Sequence, residues 1–372
     1  MRNKPHYLIL DGLRGVAALM VIWYHIFEGF ATSPLDQKFN HGYLAVDFFF
    51  ILSGFVIGYA YDDRWPKMTI GGFFKRRLIR LHPMVILGAV FGAVAFLVQG
   101  SVQWDGTHVN LGPVLLSMLL GMFLIPSRPG GLCEVRGNGE MFPLNGPSWS
   151  LFFEYIANIM YALFLRRLST KMLKAFVAVS GLGYAAFAIF NGSGSYSMGV
   201  GWTLGGLNFL GGMLRVTFAF SCGLLLSRDF KPFSNISGKA AFWTCSATII
   251  GLLSIPYIST SAVLEADWLN GLYDAVCTIL IFPLIVLLGA SGKFAENSDT
   301  RICKLLGDIS YPLYVIHYPI MYLFYSWVWK TGQTFGQVWP VAVCIFIGAP
   351  VLAYVCLKLY DEPIRRYLGG NS

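Results

Sequence analysis

Apolar stretches long enough to cross a bilayer recur along the whole chain, and this pattern limits the fold more than any other feature. A spanning helix needs about 20 largely apolar residues, because the hydrocarbon layer is about 30 Å thick. Such stretches lie at roughly 8–30, 43–61, 82–99, 147–165, 173–190, 208–227, 240–258, 272–290, 306–328 and 337–357. A shorter piece spans roughly 111–126. The run from Ile279 to Leu288 has no alternation of apolar and polar residues, which a membrane β-barrel would require. Helices then remain the way to satisfy the backbone in lipid. Only 12% of the residues are charged and 56% are hydrophobic, whereas soluble domains average about 25% charged. A soluble fold, a disordered chain and a secreted disulfide scaffold are excluded together. The expected fold is an all-α polytopic membrane protein of about ten transmembrane helices. It forms a single domain over residues 1–372, with no fused soluble domain.

Orientation follows from where Lys and Arg sit, since cytoplasmic links are enriched in them. Basic links occur at Arg2 and Lys4, Arg64 to Arg80, Arg166 to Lys174, Arg228 to Lys239, Lys293 to Lys304, and Lys358 to Arg366. The link 191–207 carries no charge and is rich in Gly and Ser, so it reads as external. With the basic links inside, ten helices alternate without conflict and both termini are cytoplasmic. Counting 111–126 as a further crossing would put Arg166, Arg167, Lys171 and Lys174 outside. That segment is therefore expected to be re-entrant or interfacial, within an outer loop of about 100–146. The net charge of +8 is accounted for by these links, which punctuate helices and form no continuous stripe for nucleic acid. Seven cysteines lie mostly within the apolar stretches, and no structural disulfide is expected.

Ionisable groups inside lipid cost several kcal/mol unless paired or hydrated, so each marks a candidate site. Arg14 and His25 lie eleven residues apart on the first segment. That spacing returns to within roughly 20° of the same helix face and separates the two by about 16 Å along the axis. Asp47 falls about one turn into the second segment, at a depth similar to His25. Asp47 is then either the carboxylate that orients the imidazole as a general base or one that caps or solvates the helix end. Ser53-Gly54 follows, a small pair that permits close helix approach. Lys75, Arg77 and Arg80 cluster at the cytoplasmic start of the third segment. Guanidinium forks suit phosphate, although positive-inside anchoring or anionic lipid accounts for the cluster equally well. Glu154 lies about two turns into the segment that opens Ser148-Trp149-Ser150, and His317 lies near mid-membrane, six residues after Tyr311. Two imidazoles, two carboxylates and several arginines in one bundle imply a polar, hydrated cavity. On these residues alone, a proton-coupled small-solute transporter is the competing reading. It should show symmetry between two halves, and the sequence has none.

Six markers in order carry a resemblance that spans nearly the whole chain. They are Leu10 to Gly15 with His25, Asp47 to Phe55, Arg77-x-x-Arg80, Trp149-Ser150-Leu151 leading to Glu154, Ser310-Tyr311 with His317, and Glu362-Pro363. Together they make the chain resemble the acyltransferase family 3 membrane proteins, which acylate carbohydrates and other hydroxyl-bearing acceptors. His82 departs from the pattern, standing where an aromatic residue is more usual before Pro83. Some relatives also carry a fused extracytoplasmic esterase-like domain, which is not expected here.

The resemblance implies transfer of an acyl group, usually acetyl, from cytoplasmic acyl-CoA to a carbohydrate or lipid-linked glycan in a bacterial inner membrane. Acyl-CoA is then a co-substrate, and neither a tightly bound cofactor nor a metal is expected. Arg14, Lys75, Arg77 and Arg80 would hold the donor. His25, Asp47 and Glu154 would form the catalytic group, with His25 either deprotonating the acceptor or carrying the acyl group. Trp149, Ser150, Ser53, Tyr311 and His317 would support the acceptor or the catalytic group. His317 is either a second proton carrier or a structural partner of Tyr311.

Overall fold

The computed structural model describes residues 6–33, 35–234, 236–258, 266–295 and 300–369. Arg2 and Lys4, part of the basic pattern, lie outside the described residues. The helices are α1 (Leu8–Glu28), α2 (Ala45–Tyr61), α3 (Ile70–Gln99), α4 (Leu111–Met122), α5 (Ser148–Leu163), α6 (Thr170–Ile189), α7 (Gly206–Asp229) and α8 (Gly238–Ser254). After them come α9 (Trp268–Val276), α10 (Phe282–Ser291), α11 (Arg301–Thr331), α12 (Phe335–Cys356) and α13 (Glu362–Gly369). Single π-turns at Cys277–Ile281 and Leu357–Asp361 join α9 to α10 and α12 to α13. Among the described residues there is no β-sheet, only two isolated bridges.

Eight of these rods are long and apolar enough to cross a membrane. The other two expected segments are α8, with 17 residues, and α11, with 31 residues and polar groups along its length. All ten expected stretches are therefore helical. α4 has 12 residues and rises about 18 Å, short of a hydrocarbon layer of about 30 Å. It packs against α3 outside the main bundle.

One boundary differs in a way that matters for the site. α3 begins at Ile70, well before residue 82, because the Thr69 hydroxyl accepts from the Gly72 N–H and caps the first turn. Arg77 and Arg80 consequently sit on a rigid helix rather than in a loop. The outer loop between α4 and α5 is also fixed. The Arg136 guanidinium lies 3.4 Å from the Tyr322 ring centroid and donates to Gln99 Oε1 at 2.8 Å, tying the loop to α3 and α11.

Without a hydrophobic driving force between helices in lipid, close contact of small residues does much of the joining. α2 and α7 meet at Gly54 and Gly223. A Cβ on Gly54 would lie 2.0 Å from the Phe220 carbonyl oxygen, and one on Gly223 would lie 1.9 Å from that of Ile51. α1 meets α11 in the same manner at Gly15, where a Cβ would fall 2.4 Å from the Leu306 oxygen. These two pairs, α2 with α7 and α1 with α11, carry much of the site, to which α3, α5 and the outer loop add the rest.

Candidate active site

Two cavities approach each other within the bundle. The inner one, of about 270 Å³, is bounded by the N-terminal half of α1 and by parts of α2, α3, α5 and α11. Arg14 reaches across it to α11, donating from Nε to Ser310 Oγ at 2.7 Å and from Nη2 to the Gly307 oxygen at 3.0 Å. Asp11 lies 3.5 Å from the same guanidinium. Arg77 donates to Glu154 Oε1 at 2.7 Å, and Ser53 Oγ donates to that same oxygen at 3.0 Å. Tyr311 also lines this cavity, its hydroxyl donating to the Leu81 oxygen at 2.6 Å. Arg80 lines the cavity too and, among the described residues, has no hydrogen-bond or ion-pair partner. Arg365, which also lines the cavity, pairs with Asp361 at 2.8 Å, so three arginines are held in place and Arg80 remains available for an anion.

The outer cavity, of about 490 Å³, is walled by the last turns of α1, by α11 and by the outer loop. His25 and Glu28 face it from α1, with His25 Nδ1 at 2.7 Å from Glu28 Oε2. The Tyr325 hydroxyl donates to Glu28 Oε2 at 2.9 Å. The His317 ring stacks on His25 at 5.4 Å between centroids, and Tyr318 stands edge-on at 4.7 Å. Trp104, Trp149, Trp202 and Trp329 complete an aromatic-rich wall. From the outer loop, Glu140 receives a hydrogen bond from Tyr322 and another from Asn138 Nδ2 at 2.9 Å. Burial pushes its carboxyl up to about 7, against the lowering effect of those hydrogen bonds and of Arg136.

Val46 and Tyr314 line both cavities. Ser150, on the inner cavity, lies with its hydroxyl 2.6 Å from that of Tyr314. The inner and outer spaces therefore meet at one apolar residue and one hydrogen-bonded hydroxyl pair. His25 borders the outer space and Arg14, about 16 Å below it on the same helix, borders the inner.

Three sequence expectations need correction. Asp47 does not orient His25. It is fully buried against α7, where Arg215 donates to it from Nη2 at 2.7 Å and from Nε at 3.1 and 3.2 Å. Similar depth on a neighbouring helix is not contact, and the α2 face that carries Asp47 is turned towards α7. Glu154, expected in the catalytic group with His25, does not line the outer cavity that His25 and Trp149 face. Five residues further along a helix amount to about 7.5 Å of rise and 140° of rotation, which brings the carboxylate to Arg77 on the inner side. Lys75 is exposed and does not line the inner cavity, being about 160° around the helix from Arg77. By contrast, Arg14, Arg77, Arg80, Ser53, Ser150 and Tyr311 come together on the inner side, and His25, Trp149 and His317 gather at or beside the outer one.

Four residues escaped the sequence reading. Glu28 had a usable signal, since it lies three residues after His25 on the same helix. Arg215 carried the ordinary signal of a cation inside an apolar segment. Tyr314 and Glu140 had none beyond being polar.

The acyltransferase domain family, Acyl_transf_3, matches residues 7–358. "Protein 2 in picA locus" of Rhizobium radiobacter is 35% identical over 190 residues, covering 48% of this chain and 94% of that protein. O-acetyltransferase OatA of Staphylococcus aureus strain NCTC 8325 is 23% identical over 98% of this chain, and a putative O-acetyltransferase of strain MSSA476 is 25% identical over the same share. This chain spans 58% of the length of both staphylococcal relatives. No solved structure matches it. With the family match covering nearly every described helix, the chain belongs to acyltransferase family 3.

Proposed function

We propose that this protein is a bacterial inner-membrane O-acyltransferase that moves an acyl group, acetyl above all, from cytoplasmic acyl-CoA to a hydroxyl of a cell-envelope carbohydrate. One observation carries the reading: an arginine-lined inner cavity and a histidine-bearing outer cavity share Val46 and Tyr314 as walls. The names of the staphylococcal relatives, O-acetyltransferases, support the choice of acetyl.

Acyl-CoA is a polyanion that ends in a thioester. Its phosphates meet Arg80, while Arg14 and Arg77 frame the inner mouth through their fixed partners. The pantetheine tail extends past Tyr314 towards His25, a path comparable to the rise of about 16 Å between Arg14 and His25. The acceptor enters from outside against indole faces such as Trp149. In the direct route His25 Nε2 takes the hydroxyl proton, the oxygen bonds to the thioester carbon, the C–S bond breaks and the thiolate takes the proton back from Nε2. In the relay route Nε2 bonds to the thioester carbon as the C–S bond breaks and thiolate leaves; the acceptor oxygen then bonds to the acyl carbon as the Nε2–C bond breaks, and the hydroxyl proton passes to the thiolate. No metal or tightly bound cofactor is needed in either route.

Incubation of purified protein with radiolabelled acetyl-CoA, followed by mass spectrometry of the protein and of envelope glycans, tests this reading. Label should reach glycan with the wild type and not with His25→Ala, at equal abundance and monodispersity. Label on His25 selects the relay. A normally active His25→Ala protein removes the proposed chemistry.

A further inference from the structure

His25 has a carboxylate partner on its own helix. Glu28 is three residues on and shares its face. The 2.7 Å separation between His25 Nδ1 and Glu28 Oε2 lies in the range of charge-assisted hydrogen bonds. An ionised carboxylate only accepts, so the proton of this bond resides on Nδ1. Tyr325 holds the arrangement from α11, its hydroxyl 2.9 Å from Glu28 Oε2 and 2.6 Å from the His25 backbone oxygen.

The surroundings leave the other ring nitrogen bare. His317 Nδ1 lies 2.8 Å from the Tyr314 carbonyl oxygen, which only accepts, so His317 also carries its proton on Nδ1. Its Nε2 is buried and has no partner among the described residues, and it has no proton to offer His25. Tyr24 and Tyr318 present ring edges to His25, at 4.8 and 4.7 Å between centroids. Glu140 faces the same cavity from the outer loop, and Arg215 faces it from α7 with its charge matched by Asp47. Among the described residues nothing hydrogen-bonds to His25 Nε2.

We propose that Glu28 is the positioning residue of the transfer reaction, fixing the His25 proton on Nδ1 so that Nε2 stands bare at the outer cavity as base or nucleophile. The inference rests on the role given to His25 above. When Nε2 takes the acceptor's proton, or an acyl group, the ring becomes cationic directly against the Glu28 carboxylate, which favours that state. An amide at position 28 lacks the charge, and its NH₂ can donate to Nδ1 and reverse the tautomer.

The experiment measures kcat, KM and the pH profile of kcat/KM for the purified full chain with acetyl-CoA, comparing wild type, Glu28→Gln, Tyr325→Phe and His25→Ala. Glu28→Gln should lower kcat on the order of 100-fold, leave the KM for acetyl-CoA unchanged, and move the acid limb of the profile down by about one pH unit. Tyr325→Phe removes a donor from the carboxylate and should move the limb upward. A purely structural Glu28 would lower active protein without displacing either limb. Wild-type kcat and an unmoved limb in Glu28→Gln overturn the proposal, even with His25→Ala inactive. An active His25→Ala protein instead overturns the underlying reading of His25. Should Glu28→Gln not be recovered as monodisperse protein, an unmoved limb in Tyr325→Phe is sufficient to overturn the proposal.

Discussion

Replacing Asp47 with Ala distinguishes a structural carboxylate from a catalytic one. Asp47 and Arg215 have no exposed side-chain surface, and Arg215 makes three contacts to the carboxylate between 2.7 and 3.2 Å. The same guanidinium donates to the Tyr43 oxygen at 2.7 Å and the Val200 oxygen at 2.8 Å, and it lies 5.1 Å from the Trp149 ring. After the substitution the cation keeps two carbonyls and an indole face but no counter-charge. Hydrogen bonds to charged groups are worth about 1.5–3 kcal/mol each, and removing one partner of a buried pair costs about 3–5 kcal/mol in total. A loss of about 4 kcal/mol is therefore expected in unfolding by sodium dodecyl sulfate in mixed micelles. The double variant Asp47→Leu with Arg215→Met should recover most of it, because a packed apolar pair replaces a matched ionic one at little net cost. The acid limb of the transfer rate should stay where it is in whatever folded Asp47→Ala protein remains. Wild-type unfolding behaviour combined with a displaced acid limb would refute this account and return Asp47 to His25.

Two further expectations concern the cavity walls. The Glu140 carboxyl is raised by burial from 4.5 to about 7, so its contribution to stability is fully present below about pH 4.5 and is lost as the pH rises through about 7. That contribution is about 3 kcal/mol, so the unfolding free energy of wild type should fall relative to that of Glu140→Gln by most of this amount as the pH rises from 5 to 8; parallel curves would contradict it. Arg80→Ala should raise the KM for acyl-CoA on the order of tenfold, the worth of one charged contact, with kcat little changed. An unaltered KM would move the donor phosphates elsewhere.

The helices were legible because lipid leaves little freedom: a stretch of about 20 apolar residues has few other fates. The start of α3 was not, because Lys75, Arg76, Arg77 and Arg80 read as a cytoplasmic link while Thr69 had already capped a helix there. His25 with Arg14 was visible through helical periodicity on one segment, as Glu28 also was in principle. The partner of Asp47 was not, since Arg215 is 168 residues away and reaches it only through the glycine contact of α2 with α7. Periodicity reports which face a side chain occupies, whereas tertiary packing decides what that face meets.

Where the two cavities meet, Val46 and the paired hydroxyls of Ser150 and Tyr314 keep them apart. The bacterial inner membrane, the location proposed above, stores energy as an ion gradient in which each elementary charge moved through 100 mV is worth about 2.3 kcal/mol. An open water column from the arginines to the imidazole would dissipate that store with every turnover. On the proposed route, a partition made of these few side chains, displaced only by the donor's slender thioester tail, would let carbon cross while protons stay behind.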